Sequence, residues 1–176
     1  FGKYTNIAYE TPRERKKKFG YLAYLTEGVK SFFNKTKLYD ITYEIDGNVY
    51  RGLFSFVIVS SANRISGINN IYKDVKLDDD KFEVVFCNIT RMKDVGKILY
   101  FLTKYDVSKV PGVFFYRTNN LKIMFDEIPK KSWCVDGEKL NISSAKYEIK
   151  IVNEIKMLVP AKNVSKLFVY DEKSNN

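Results

Sequence analysis

Hydrophobic positions change rhythm along this chain, and the changes mark its elements. Phe19, Leu22, Ala23, Val29, Phe32 and Phe33 recur at helical spacing, which predicts an amphipathic helix over 12–33. Thr11, Pro12 and Glu14 supply its start: a capping residue, a proline at the first helical position and a glutamate three residues after the cap. Ile41, Tyr43 and Ile45 then alternate with Thr42 and Glu44, the period of a half-buried strand. Asp46-Gly47 predicts a tight turn into a second strand over 49–59, whose end from Phe54 onward is nearly all apolar and should be buried on both faces. A polar loop over 60–70 and an acidic knot at Asp78, Asp79 and Asp80 precede a strand over 82–87. Met92, Val95, Leu99 and Leu102 predict a second amphipathic helix over 91–104, with Thr90 as its cap.

From Pro111 onward the pattern is strand after strand. Strands are predicted over 113–116 and 121–125 around an Asn119-Asn120 turn, and over 131–135 and 139–142 around Asp136-Gly137. Two more flank Asn153-Glu154, over 147–151 and 155–158, and a last one spans 164–170. Residues 171–176 read as a flexible tail. Strands and helices segregate along the chain, so the expected fold is α+β: a mostly antiparallel β-sandwich carrying two amphipathic helices, one domain over 1–170.

Composition narrows the chemistry. The 176 residues contain no histidine, which excludes Ser-His-Asp and Cys-His catalysis, His-ligated zinc or haem, and histidine pH switching. Cys87 and Cys134 lie in apolar strand-like runs far from any metal-knuckle spacing, so both are expected to be buried, reduced thiols in a reducing compartment. No apolar run approaches the ~20 residues of a bilayer-spanning helix, and no secretory signal pattern is visible. Thirty basic against 21 acidic residues leave a net charge of +9, which favours acidic partners. Residues 1–37 hold nine Lys/Arg and three Asp/Glu. Arg13, Arg15, Lys16, Lys17 and Lys18 form a basic run that reads either as a solvated helix face or as a patch for lipid headgroups or phosphates.

Three constellations could carry chemistry. Asp136-Gly137-Glu138 is first of all a hairpin turn, yet its two carboxylates could divide labour, one taking a hydroxyl proton and the other holding a cation or its water. Asp78, Asp79 and Asp80 form either an exposed loop neutralised by Lys73, Lys76 and Lys81 or a hard-cation site, without the glycine and glutamate of an EF-hand. Asn63, Arg64, Ser66 and Gly67 suit a loop that approaches a ligand, and equally an ordinary turn. No Walker loop, GxGxxG or GxSxG is present.

The order of these motifs is recognisable. A Phe1-Gly2-x-Tyr4-Thr5 start leads to Tyr9-x-Thr11-Pro12 and to Lys18-Phe19-Gly20-Tyr21-Leu22-Ala23-Tyr24. A strand into the Ser/Asn/Gly loop, Leu77-Asp78-Asp79 before Phe82-Glu83-Val84-Val85, and Trp133-Cys134-Val135-Asp136-Gly137-Glu138 follow. The series resembles the C-terminal part of the bacterial diacylglycerol kinase superfamily, soluble lipid kinases related to sphingosine kinases.

The resemblance implies a two-domain kinase with its active site in the interdomain cleft. The N-terminal domain, with its Gly-Gly-Asp-Gly-Thr nucleotide loop, is missing here, so the chain is expected to be the C-terminal domain and inactive alone. It also implies that Asp136 is the base for the lipid hydroxyl, that Glu138 helps hold a catalytic Mg²⁺–water network, and that Asp79 is the side-chain ligand of a structural Mg²⁺ beside the carbonyls of Lys76 and Lys81. The family usually has glycine at the position of Asp80, and paired glycines where this chain has Ser66-Gly67.

ATP, Mg²⁺ and a lipid acceptor are thus the implied partners, with a cytoplasmic location and peripheral contact with an anionic membrane. Phosphoryl transfer depends on positioning and charge neutralisation, so a histidine-free protein can serve it. Nucleic acid is not expected, because no basic-aromatic strand motif is present. Open sheet edges could pair two copies into a homodimer. The alternative is a non-enzymatic β-sandwich that binds anionic lipid or phosphate ligands through the basic helix.

Overall fold

A computed structural model of the chain describes residues 1–3, 5, 36–61, 64–65, 68–69, 72, 75–91, 109–152 and 156. The helices expected over 12–33 and 91–104, the strands over 155–158 and 164–170, and the tail lie outside the described residues, apart from the edge residues Arg91 and Lys156. Within them the chain forms β1 (Tyr39–Ile45), β2 (Asn48–Phe54), β3 (Phe56–Ser60), β4 (Arg64–Ile65), β5 (Ile68–Asn69), β6 (Phe82–Cys87), β7 (Val113–Thr118), β8 (Asn120–Phe125), β9 (Trp133–Val135), β10 (Glu138–Leu140) and β11 (Lys146–Lys150).

The alternation in β1 does what its period requires. Ile41, Tyr43 and Ile45 are buried while Thr42 and Glu44 face outward. Asp46 and Gly47 both adopt left-handed φ, 51° and 78°, the shape a two-residue hairpin needs, and return the chain as β2. With β8 on the other side of β1 and β11 beyond it, a four-stranded antiparallel sheet forms in the order β11-β8-β1-β2. A three-stranded antiparallel sheet, β3-β6-β7, supplies the second layer. The two share one core, in which Tyr43 of one sheet stacks on Phe86 of the other with ring centroids 3.9 Å apart.

All six residues of β6 are buried. Val84 and Phe86 face the shared core, whereas Val85 packs with Tyr72 and Val75, and Cys87 with Ile89 and Val110. Burial on both faces explains why the strand is apolar at every position but Glu83. Phe1, Gly2 and Lys3 lie along the free edge of β3: Val57 N–H donates to Phe1 O and Lys3 N–H to Ser55 O, each at 2.9 Å. Gly2 has φ 99°, and a Cβ there would stand 2.5 Å from Ser55 O, so only glycine fits.

Five expectations change. The apolar run from Phe54 onward, expected to be buried on both faces, is so only in part: in β3 only Val57 is fully buried, and Phe56, Ile58, Val59 and Ser60 are half-buried. The strand foreseen over 49–59 is two strands in different sheets, broken at buried Ser55. That residue's N–H and hydroxyl both donate to Cys87 O, at 2.7 and 2.8 Å, and its Oγ accepts from Ile89 N–H at 3.2 Å. Asn119-Asn120 does not join a hairpin either, because β7 and β8 belong to different sheets. The chain crosses between them with Thr118 Oγ1 3.0 Å from Asp46 Oδ1. The loop over 60–70 contains the short β4–β5 ladder. Cys134 is half-buried rather than buried, because the two-stranded β9–β10 ribbon sinks Trp133 and leaves Val135 50% exposed.

Candidate functional site

The β9–β10 hairpin presents the Asp-Gly-Glu constellation. Its register pairs Val135 with Glu138, Cys134 with Lys139 and Trp133 with Leu140. Asp136 and Gly137 therefore form a two-residue turn, with φ 49° and 89°. Aspartate tolerates this left-handed geometry better than most residues. The hairpin is anchored by Trp133, whose ring lies 5.2 Å from Phe1 and 5.5 Å from Tyr147, centroid to centroid. Asp136 and Glu138 are both exposed at its lip. Apart from its chain neighbours, no described residue would come within 4 Å of a Cβ at Gly137.

The acidic knot leads directly into β6. Asp80 adopts φ 53°, so it reproduces the backbone bend that glycine would permit. Asp79 accepts the Lys81 N–H on Oδ1 at 3.2 Å, and its Oδ2 lies 3.3 Å from Arg117 Nη2. The same guanidinium donates through Nε to Glu83 Oε1 at 3.2 Å. Glu83 and Arg117 sit opposite each other in the β6–β7 ladder. Glu83 is only 1% exposed, and its Oε2 has no hydrogen-bond partner among the described residues. Burial pushes the Glu83 carboxyl above its ordinary range; Arg117 pulls it back in part, and Asp79 adds to the rise. Lys76 is half-buried and Lys81 exposed.

A structural Mg²⁺ at Asp79, beside the carbonyls of Lys76 and Lys81, is what the resemblance implies, and the single side-chain donor of that set already faces a cation. Both Asp79 oxygens are engaged, one of them by a permanent cation. Among the described residues no group of three or more Asp, Glu, Cys or His could hold a metal ion.

Asn63, Ser66 and Gly67 of the polar loop, and Arg13, Arg15, Lys16, Lys17 and Lys18 of the basic run, lie outside the described residues. A depression of about 430 Å³ on the outer face of the four-stranded sheet is lined by Thr42, Glu44, Lys122, Met124, Lys146 and Glu148 among others. None of the expected site residues borders it. Sequence reasoning overlooked Glu83 and Arg117. A lone glutamate inside an otherwise apolar six-residue strand was the available signal, since a buried carboxylate needs a cation close by.

Fold and site together describe an antiparallel domain with two main sheets, two exposed carboxylates on the β9–β10 hairpin and an ion-paired acidic loop at the start of its central strand. No family model matches the chain. It is 27% identical over 137 residues to the diacylglycerol kinase of Staphylococcus aureus (strain bovine RF122 / ET3-1), covering 78% of this chain and 42% of that protein. It is 26% identical over 137 residues to the diacylglycerol kinase of Staphylococcus epidermidis strain RP62A, with the same coverage. It thus spans about two fifths of the length of these curated relatives. Two solved structures of candidate diacylglycerol kinases from Bacillus anthracis strain Sterne share the fold. One has a TM-score of 0.56 at 18% identity, over 78% of this chain and 44% of the other; the second has 0.55 at 19%, over 82% and 46%. The chain is a homologue of proteins named diacylglycerol kinase, and the resemblance to the diacylglycerol kinase superfamily stands. Among the described residues no helix is long and apolar enough to cross a membrane.

Proposed function

We propose that the chain is the acceptor-side part of an ATP-dependent kinase that phosphorylates a lipid hydroxyl such as that of diacylglycerol. The observation that carries this reading is the pair of exposed carboxylates, Asp136 and Glu138, flanking Gly137 on one hairpin, in a chain similar over 78% of its length to diacylglycerol kinases. In the proposed reaction the acceptor oxygen attacks the γ-phosphorus of ATP, and the bond to the ADP leaving oxygen breaks. Asp136 takes the hydroxyl proton as general base. Glu138 fixes water and substrate beside it. When bound, Mg²⁺ accompanies the ATP phosphates and neutralises charge there.

ATP itself is held mainly by polypeptide other than this chain, whose 137 matched residues correspond to 42% of the relative. On its own the chain should therefore turn over little or nothing. A lipid acceptor resides in a bilayer, and Arg13, Arg15, Lys16, Lys17 and Lys18 would draw the enzyme to an anionic surface at about 1 kcal/mol per residue.

The test is phosphate transfer from labelled ATP to diacylglycerol by the complete kinase that carries this chain. Asp136→Asn should lower kcat by about 10²–10⁴-fold and leave lipid binding intact. Undiminished turnover removes Asp136 from the mechanism.

A further inference from the structure

Glu83 and Arg117 are absent from the reading above, yet they form a buried ionic arrangement connected to the acidic loop. Three consecutive carboxylates at Asp78, Asp79 and Asp80 repel one another and need positive charge nearby. Arg117 supplies it at Asp79, using two different nitrogens, Nε toward Glu83 and Nη2 toward Asp79. A guanidinium is charged at every accessible pH, and its planar fork bridges two carboxylates without rearranging. Glu83 is fixed in turn by its place in the central strand and by the β6–β7 register.

We propose that Arg117 is the resident cation of the acidic loop: held by buried Glu83, its guanidinium takes at Asp79 the place a divalent ion would fill, so the loop keeps its bend without metal. A hard cation approaching Asp79 Oδ2 meets that positive charge first, and Asp79 Oδ1 is already committed to the Lys81 amide. Arg117 is thus a positioning residue, acting through Asp79 on the segment that leads into β6. This inference does not depend on the kinase reading, because its readout is metal dependence of folding rather than turnover.

The experiment is thermal unfolding of the chain in EDTA and in millimolar Mg²⁺. The unsubstituted chain should show the same Tm in both. Arg117→Gln should unfold at lower temperature in EDTA, and Mg²⁺ should raise its Tm by about 2–4 °C. That gain should vanish when Asp79→Asn is added. Arg117→Lys, which keeps the charge, should restore indifference to the metal. A merely structural arginine would lower Tm equally in both conditions, and that result overturns the proposal. So does a Mg²⁺-dependent rise in the unsubstituted chain, or an Arg117→Lys variant that behaves like Arg117→Gln. Should Arg117→Gln fail to fold, Mn²⁺ titrated into the unsubstituted chain decides. Paramagnetic broadening confined to residues 78–83 overturns the proposal, and its absence there supports it.

Discussion

Ser55→Ala removes one oxygen from the point where the chain leaves the four-stranded sheet for the three-stranded one. Ser55 is fully buried. Its hydroxyl donates to Cys87 O at 2.8 Å and accepts from Ile89 N–H at 3.2 Å. In the alanine variant the Cys87 carbonyl keeps the Ser55 backbone N–H at 2.7 Å, so it is not orphaned. The Ile89 amide loses the acceptor that the serine provides, and Ile89 is itself buried. A buried donor left without a partner costs about 1–3 kcal/mol, and the lost methyl-sized volume is negligible because alanine differs from serine only by that oxygen. Urea unfolding measures the effect. With a slope of about 1–3 kcal/mol per molar for a small protein, a 2 kcal/mol loss moves the midpoint by roughly 1 M at unchanged slope. The exposed neighbour Ser61→Ala serves as control and should stay within about 0.5 kcal/mol. If Ser55→Ala moves the midpoint no further than that control, the hydroxyl does not hold the corner and the account of the sheet crossing fails.

Two other outcomes follow from buried titratable groups. Burial raises the folded-state affinity of Glu83 for its proton above the unfolded value. The native state therefore holds more protons than the unfolded one as pH climbs from the ordinary glutamate range through the folded pKa, and stability falls across that window. Glu83→Gln should flatten this part of the stability–pH curve, so the difference between variant and parent should grow with pH; parallel curves would refute it. Cys87 is buried and its thiol is pushed up to about 12 by burial, so a thiol-directed alkylating reagent at neutral pH should label half-buried Cys134 first and Cys87 only after denaturation. Equal labelling of both in the native chain would contradict the packing.

What the sequence disclosed is what local chemistry determines. The β1 alternation, and the two Asp-Gly turns at 46–47 and 136–137, were legible because a period of two and a pair of left-handed residues leave a mark within a few positions. The carboxylate pair on the β9–β10 hairpin was legible for the same reason: its members are two residues apart on one turn. The break at Ser55 was not. A serine inside an apolar run reads as strand interior, and its function here depends on a carbonyl 32 positions away. Asn119 misled because two asparagines between strands signal a turn, but not whether the flanking strands pair with each other or join separate sheets.

The acidic loop shows the same limit at the candidate site. Read locally, Asp78, Asp79 and Asp80 invite the neighbouring lysines as counter-charges, or a metal ion. Among the described residues the cation paired with Asp79 is Arg117, 38 residues further on, and it arrives because β6 and β7 pair in the register that sets Glu83 against Arg117. A one-residue slip would turn Arg117 to the opposite face of β7 and leave Glu83 with a buried, unpaired carboxylate. The pair thus also disfavours the wrong register, since only the observed alignment of β6 and β7 satisfies both the apolar pattern of β6 and its single charge.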